Sequence, residues 1–324
     1  MLDVTALGEL LIDFTPAGLS DQGNICFERN PGGAPANVLA CISQLGGKTA
    51  FIGKVGDDMF GSYLADTLTK YNIEVSGLKR CREANTTLAF VQLNEDGDRS
   101  FSFYRNPGAD TMLKSEEVSY ELIEKSRVFH FGSLSMTDEP SKRATISALE
   151  YAKKAGCLIS FDPNLRPALW KSMNRALEEI RFGLGFCNIL KISEEELEFI
   201  TKTTDPESGS LELYKNYGMD AILITKGKEG CFYRFKDKTG AIGTFLQCKT
   251  IDTTGAGDAF LGGFLFSLLN KRTGNLKELN QHDIEEIIVF SNAVASLSTV
   301  KKGAIPSMPK LCEVEKLVST GYIY

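Results

Sequence analysis

The stretch IDTTGAGDAFLGG, residues 251–263, joins a flexible polar segment to one of the most apolar helical stretches of the chain. After Gly257 the sequence continues DAFLGGFLFSLLN, whose apolar side chains recur at helical spacing on a broad face, so we expect a buried helix. The start of a buried helix leaves backbone N–H groups without partners. Gly255 and Gly257 carry no side chain that would keep an anion away from these groups. The pattern therefore predicts an anion site, suited to a phosphate, with the helix dipole behind it.

Asp258 occupies the first turn of this predicted helix, and its carboxylate admits two interpretations. It could cap the helix by accepting a hydrogen bond from a free N–H group. Beside a phosphoryl site it could instead accept the proton of an attacking hydroxyl group. The residues alone leave both interpretations open.

The overall composition is that of an ordinary globular chain, 43% hydrophobic and 24% charged over 324 residues. A net charge of −6 without a Lys/Arg run indicates neither nucleic acid nor an anionic membrane as a partner. No apolar run reaches the ~18 residues of a membrane span, and the acidic N-terminal segment is a poor signal peptide. Eight cysteines without a C-x-x-C pair complete no common zinc pattern with the two histidines. We therefore expect a cytoplasmic protein.

Short apolar runs alternate with amphipathic stretches along the chain. Several of these stretches begin at Pro or end at Gly, as helices do. We predict the apolar runs to be buried parallel strands, and they cover residues 49–53, 128–132, 157–162, 188–192 and 221–225. This alternation predicts an α/β fold, a doubly wound, mostly parallel sheet flanked by helices, in one domain over residues 1–324.

Two segments, at about 10–30 and 84–106, lack a helix period. In the second, TTLAFVQLNEDGDRSFSFYR (86–105) alternates on both sides of an Asp-Gly turn, which is typical of a β-hairpin. We expect the two segments to pair into a small β-sheet that covers a cleft as a lid.

Two long motifs, about two hundred residues apart, resemble the signatures of one family, the ribokinase-like (PfkB-type) carbohydrate kinases. DTTGAGDAFLGGF (252–264) is similar to the C-terminal signature of that family. NPGGAPANVLACISQLG (30–46), followed by GKVGDDMFG (53–61), is similar to the N-terminal signature. Within the family the chain most resembles the fructokinases, through FYRNPGAD (103–110), FDPNLRPALW (161–170) and KISEEELEF (191–199).

The resemblance implies a ribokinase-like fold and an ATP- and Mg²⁺-dependent sugar kinase. Asp258 would then be the catalytic base, and the backbone N–H groups of Gly255, Ala256 and Gly257 would form the anion hole for the transferred phosphoryl group. The implied reaction converts fructose to fructose 6-phosphate. Kinases for ribose, 2-keto-3-deoxygluconate, a nucleoside or an aminoimidazole riboside remain alternatives, as does a non-catalytic sugar or nucleotide sensor on the same fold.

A sugar site also follows from the resemblance. In the similar kinases the backbone at Gly33 and the side chains of Asn37 and Asp13 bind sugar hydroxyls, and we add the adjacent Gly32. On pattern alone, GGAPAN (32–37) is a tight turn before a helix that starts at proline. We expect Asp13 at the end of the first strand, where an α/β sheet places its ligands, although a lone aspartate there could be a solvated turn residue.

Two arginines complete the implied active site. Residues that match Arg105 and Arg166 reach into the site of fructokinase-like kinases, so we assign Arg105 to the sugar and Arg166 to catalysis. Arg166 could balance phosphate charge through a bidentate contact. On pattern alone both could be solvated surface residues. Asp162 and Asn164, at the end of a predicted strand, could support the site.

Ser193 and Glu196 have the S-x-x-E spacing of a helix capping box. The family usually has Asn where this chain has Ser193, and its Glu organises magnesium-bound water. The resemblance therefore implies the same role for Glu196. It further implies nucleotide contacts from Lys191, Ser193, Thr225, Lys226, Gly227, Gly230, Gly257 and Asn292. On pattern alone TKGKEG (225–230) is a strand-to-hairpin turn and Asn292 is an ordinary polar helix position.

A potassium site and a partner subunit are the last implications of the resemblance. In ribokinase-like enzymes, positions that match Asp252 and Thr254, together with a loop of carbonyl groups, can hold K⁺. Here that loop is KKGAIPSMP (301–309), with Gly303 and Ser307. Family lids often pair between subunits, so we expect a homodimer through the lid, with sugar and ATP as the small-molecule partners.

Overall fold

The structure is a computed structural model that describes residues 1–93, 99–271 and 276–321. Its strands are β1 (Leu2–Leu7), β2 (Leu11–Leu19), β3 (Ile25–Gly32), β4 (Thr49–Gly56), β5 (Ile73–Glu74), β6 (Leu78–Cys81), β7 (Leu88–Leu93), β8 (Arg99–Tyr104), β9 (Ser126–Gly132), β10 (Leu158–Asp162), β11 (Ile189–Ser193), β12 (Ala221–Thr225), β13 (Cys231–Phe235) and β14 (Lys238–Ile242). Its helices are α1 (Ala34–Gln44), α2 (Met59–Lys70), α3 (Tyr120–Glu124), α4 (Ser141–Ala155), α5 (Met173–Leu184), α6 (Glu194–Thr201), α7 (Pro206–Tyr217), α8 (Ala256–Asn270), α9 (Gln281–Ser298) and α10 (Leu311–Thr320).

The predicted apolar runs all form strands of one large sheet. Its strand order is β14-β13-β12-β11-β10-β9-β1-β4-β5, with β6 also paired to β4. Pairing is parallel from β12 to β5 and antiparallel at β13 and β14. The predicted doubly wound, mostly parallel sheet is therefore confirmed.

Helices cover both faces of this sheet, so its central strands are buried on both sides. One apolar core packs α1, α2, α8, α9 and α10 against the sheet, and a second core packs α3 to α7 against the opposite face. Helix α8 is buried from Asp258 to Leu265, as its broad apolar face predicts. No helix in the described ranges has the length and apolar character needed to cross a membrane.

A separate four-stranded sheet has the order β3-β2-β7-β8. It joins the two segments that lack a helix period, with β2 parallel to β7 and the other pairs antiparallel. Residues 94–98, where we expect the Asp-Gly turn, lie outside the described residues. The sheet packs on α2, where the Phe14 and Phe60 rings meet edge-on at 5.8 Å and the Arg29 guanidinium lies 3.7 Å from the centre of the Tyr63 ring.

Candidate active site

The glycine-rich turn brings Asp258 to the start of α8. Gly255 precedes the helix with φ of 77°, and a Cβ at this position would lie 2.8 Å from Ala304 Cβ, so the turn requires glycine. No side chain in the described part of the molecule caps this helix start at Gly255. The Asp258 carboxylate instead accepts a hydrogen bond of 2.8 Å from Asn37 Nδ2. The carboxylate of Asp258 therefore does not cap α8; it faces Asn37 of α1 instead.

The surroundings of Asp258 adjust its proton affinity. Burial raises its pKa to about 7, and the charge of Asp162 adds to this shift, against the effects of Asn37, Lys191 and Arg166. A carboxyl group that titrates near neutrality is suited to accept a proton during a reaction at that pH. The Ala256 N–H group, one of the three predicted anion-hole donors, donates to the Thr253 carbonyl at 3.1 Å in this structure. The first turn of α8 thus carries a base whose proton affinity is adjusted by its surroundings.

Of the predicted sugar residues, Asn37 contacts Asp258 directly. Asn37 is in the first turn of α1, and its Oδ1 is buried without a hydrogen-bond partner among the described residues. A Cβ at Gly32 would lie 2.2 Å from Asp13 Oδ2, and one at Gly33, whose φ is 118°, would lie 2.3 Å from the carbonyl oxygen of Glu9. Both glycines therefore allow a close approach of chain segments that a side chain would prevent.

The expected place of Asp13 was wrong. It is the third residue of β2 in the small sheet, not the end of the first strand, because β1 ends at Leu7 and the chain turns at Gly8. Burial raises the pKa of Asp13 to about 6, while the charge of Arg166 opposes the shift. The small sheet thus contributes a half-buried carboxylate whose proton affinity responds to Arg166. Asp13 and Thr254 both line a cavity of about 160 Å³ between that sheet and the loop at 302–304.

The two arginines differ in how freely they can meet a ligand. Arg105 is buried, its guanidinium forms an ion pair of 2.6 Å with Asp110, and it donates to Thr137 Oγ1 and the Leu134 carbonyl. Arg166 is exposed, donates to the carbonyl of Leu165 and acts electrostatically on the site carboxylates. Arg166 is thus accessible to a phosphate, while the protein itself engages Arg105.

A buried charge cluster lies at the ends of β10 and β11. Lys191 Nζ is 3.0 Å from Asp162 Oδ2. The S-x-x-E capping box is confirmed, since Ser193 Oγ accepts from the Glu196 N–H group and Glu196 accepts from that of Ser193. The second carboxylate oxygen of Glu196 accepts a 2.8 Å bond from the Leu165 N–H group. Both oxygens are thus engaged, so Glu196 is better suited to hold a water molecule than to bind a metal directly.

A second cavity, of about 500 Å³, lies between the end of β12 and the start of α8. Its lining includes Gly227 and Ala256 together with Phe245, Ser296 and Thr299. Of the other residues assigned to the nucleotide, Lys191 and Ser193 line a separate cavity that also includes Arg166. Thr225 Oγ1 donates to the Ile192 carbonyl, Lys226 pairs with Glu229, and Gly230 turns the chain at φ of 90°. Asn292 is buried and its amide nitrogen donates to the carbonyls of Ile242 and Gly243. It therefore supports the chain that leads into the cavity wall.

The residues assigned to potassium lie on two chain segments, 252–254 and 303–307, which are joined by a hydrogen bond. Asp252 Oδ1 accepts from the N–H and hydroxyl groups of Thr254, and Asp252 Oδ2 accepts a 3.0 Å bond from the Gly303 N–H group. Ser307 Oγ donates to the Ala304 carbonyl. Within residues 1–93, 99–271 and 276–321, no group of three or more His, Cys, Asp or Glu side chains could hold a metal ion. A cation here would therefore need carbonyl and hydroxyl oxygens in addition to the Asp252 carboxylate.

Comparisons with known proteins assign this site to a family. Residues 1–311 match the model of the pfkB family of carbohydrate kinases. This chain belongs to that family. The protein named probable fructokinase-2 of Arabidopsis thaliana is 44% identical over 315 residues, which cover 96% of this chain and 94% of the relative.

Solved structures of fructokinases share the fold of this kinase. A fructokinase from Xylella fastidiosa with bound ATP is 31% identical, with a TM-score of 0.87 over 98% of this chain and 99% of that one. A fructokinase double mutant from Vibrio cholerae O395 with fructose, ADP and a potassium ion has the same identity and TM-score over 98% of each chain. These likenesses confirm the resemblance found in the sequence motifs.

Sequence reasoning missed one buried carboxylate of this kinase. Glu9 follows β1, its Oε1 accepts a 2.9 Å bond from the N–H group of Ala34 in the first turn of α1, and its Oε2 has no partner among the described residues. Burial raises the pKa of Glu9 to about 7, although backbone hydrogen bonds and the charge of Arg105 lower it. The one available signal was a charged residue inside the apolar run ALGELLIDF (6–14).

Proposed function

We propose that this chain is an ATP-dependent fructokinase that phosphorylates the primary hydroxyl of fructose and produces fructose 6-phosphate. The observation that carries the proposal is the buried Asp258 carboxylate, held by Asn37 at a glycine-rich helix start. Relatives named fructokinases, similar over nearly the whole chain, support the choice of fructose.

In the proposed reaction, Asp258 accepts the proton of the primary hydroxyl as its oxygen attacks the γ-phosphorus. The bond between that phosphorus and the β,γ-bridging oxygen breaks, and ADP leaves. The N–H groups of Gly255 and Gly257 stabilise the charge on the transferred group, and that of Ala256 joins them by exchanging its bond to the Thr253 carbonyl for one to the phosphoryl oxygen. The exposed Arg166 guanidinium adds a further positive charge near the phosphates.

Two polar side chains are available to orient the sugar. Asn37 Oδ1 is buried without a partner among the described residues, and the half-buried Asp13 carboxylate of the small sheet lines the adjoining cavity. Both accept hydrogen bonds from hydroxyl groups, which suits a neutral polyol. Arg105 is already paired with Asp110, so it is not available to the carboxylate of an acidic acceptor such as 2-keto-3-deoxygluconate. Lys302 lines the same cavity as Asp13, so the preference for fructose over an acidic sugar rests on the named relatives.

The cavity between β12 and α8 and the charged groups near it suit ATP, Mg²⁺ and K⁺. The cavity between β12 and α8 leads to the proposed anion hole, and Lys191 lies beside Gly257 with its ammonium group. Mg²⁺ bound with ATP would neutralise phosphate charge, with Glu196 holding one of its water molecules. The oxygens around Asp252, Thr254, Gly303 and Ser307 suit K⁺. Asn292 and Thr225 would keep the cavity walls in place around ATP.

The four-stranded sheet is proposed to act as a lid and as a dimer contact. Closure over the sugar would exclude water, which otherwise competes as phosphoryl acceptor. The sheet also exposes a cluster of large apolar side chains, of a kind that marks a protein interface. These are Leu19, Ile25, Phe27 and Tyr104, which are 70%, 66%, 41% and 67% exposed.

The test is coupled ATP turnover by the purified protein with Mg²⁺ and K⁺, using Asp258→Ala as the control. The acceptors are fructose, ribose, 2-keto-3-deoxygluconate, adenosine and aminoimidazole riboside. We expect a strong preference for fructose that the control abolishes. Preference for another acceptor would reassign the substrate, and no turnover with any of them would favour a sensor.

A further inference from the structure

The Lys191 ammonium is buried directly below the first turn of α8. Lys191 lies on β11 beside Asp162, the last residue of β10, since the preceding residues Phe161 and Leu190 are paired in register. A Cβ at Gly257 would lie 2.8 Å from Lys191 Nζ and 3.4 Å from its Cε. No side chain therefore separates the ammonium from the backbone that forms the proposed anion hole.

Three buried carboxylates act on this single ammonium, those of Asp162, Glu196 and Asp258. Burial lowers the pKa of Lys191, but these charges outweigh burial and raise the pKa overall, so the ammonium stays charged at neutral pH. Within the described part of the chain, only Asp162 forms an ion pair with it. Asp258 acts on Lys191 without a direct ion pair.

We propose that Asp162 is a positioning residue that holds the Lys191 ammonium at Gly257 and keeps it from pairing with Asp258. An ammonium without its partner would move to the nearest carboxylate, because an unpaired buried charge is costly. Pairing with Asp258 would reduce the proton affinity that the base needs. Held at Gly257, the ammonium instead adds fixed positive charge where the phosphoryl group develops negative charge. This inference rests on the proposed kinase function.

Asp162→Asn is the first variant, because the amide keeps the volume of the side chain and can still accept from the Asn164 N–H group. We expect kcat to fall about tenfold or more, since a fixed charge at the transition state is lost. The KM for fructose should change little, because Asp162 bonds to Lys191 and the Asn164 N–H group rather than to the sugar residues Asn37 and Asp13. ATP binding, measured by calorimetry without sugar, should weaken.

The pH profile separates this role from a structural one. Asp162 raises the pKa of Asp258, whereas Lys191 and Arg166 lower it, and the buried thiol of Cys41 stays neutral because burial raises its own pKa. Asp162→Asn should therefore move the acid limb of kcat/KM to lower pH. Lys191→Gln, which removes the opposing positive charge, should move the same limb to higher pH.

Glu179→Gln is the matched control, because Glu179 is also a buried carboxylate and pairs with Lys142 and Arg175 at 2.6 Å. It should leave the acid limb in place even if stability falls. The inference would be overturned if the acid limb of kcat/KM stays in place in both Asp162→Asn and Lys191→Gln, or if it moves in the same direction in both. An undiminished kcat in Asp162→Asn would overturn it as well.

If Asp162→Asn does not fold, Lys191→Gln tests the ammonium that Asp162 is proposed to hold at Gly257. A kcat about tenfold lower or more supports the inference, and an undiminished kcat contradicts it. Failure of the proposed function would appear separately, as a wild-type protein without sugar kinase activity. In that case the calorimetric comparison of ATP binding still tests the positioning role, and equal affinities would contradict it.

Discussion

Two glycines of the GAG turn serve different physical purposes, although the sequence shows them as equivalents. Gly255 adopts a left-handed backbone conformation against Ala304, whereas Gly257 is helical and leaves room for the tip of Lys191. The left-handed backbone at Gly255 is needed for the turn to fold. The missing side chain at Gly257 leaves space for the flexible Lys191 side chain, so it affects the active site rather than folding. The two positions should therefore respond differently to the same substitution.

Gly255→Ala should lower the free energy of unfolding by roughly 1–2 kcal/mol, because alanine is strained at positive φ. Gly257→Ala should leave the thermal midpoint nearly unchanged, since only the end of the Lys191 side chain must move, and should lower kcat about tenfold or more. Thermal unfolding and turnover of the two variants check this. Equal stability loss in both would contradict the distinction.

Glu9 provides a test of burial through pH. Its raised pKa means that the folded chain keeps a proton that the unfolded chain releases between the ordinary value of 4.5 and about 7. The stability contributed by this protonation is present below that range and is lost as the pH rises through it. Glu9→Gln should therefore lose less stability than the wild type between about pH 5 and about pH 8. The denaturation midpoints of the wild type and Glu9→Gln are compared at both pH values. Equal losses of stability in the two proteins would refute the raised pKa of Glu9.

At the level of elements, strands with continuous apolar runs were predictable because both faces of the sheet are buried. The helix starts were also predictable where Pro35 or the S-x-x-E box marks them. The strand that carries Asp13 was misplaced, because the sequence does not show where β1 ends and β2 begins. The hydrogen bond from Asn37 to Asp258 and the burial of Glu9 depend on contacts between distant segments, which no local pattern encodes.

The small sheet is attached to α2 by aromatic contacts, so weakening them should loosen it. Phe60→Ala removes the edge contact to Phe14 and should speed amide hydrogen exchange in β2 and β3 and raise the KM for fructose. Phe182→Ala is the control, because Phe182 pairs with Phe186 on the far side of the fold, with ring centres 5.4 Å apart. Exchange rates that match in the two variants would argue against a lid held by α2.

For the whole molecule, the composition and motifs predicted the fold class but not the order of its strands, and the homodimer implied by the family resemblance stays a prediction. Sheet order depends on which strands meet across the fold, and assembly depends on surface shape. The exposed apolar cluster on the small sheet adds a structural argument for the dimer, and it becomes visible only when β3, β2, β7 and β8 assemble in that order.

Ile25→Asp should convert the proposed dimer to a monomer, because a carboxylate in an apolar interface is costly to desolvate. Val318→Asp, at an exposed position of α10, is the control and should leave the assembly unchanged. Sedimentation velocity measures both. A monomeric wild type, or a dimer that survives Ile25→Asp, would contradict assembly through this sheet.

The central claim, that Asp258 is the base of a fructose kinase, is tested most directly by Asp258→Asn. The amide keeps the shape of the side chain but cannot accept the hydroxyl proton. Turnover with fructose and ATP should be compared with calorimetric binding of each ligand to the same variant. The account predicts that kcat falls by about a hundredfold or more while both ligands still bind. Turnover close to that of the wild type would contradict it.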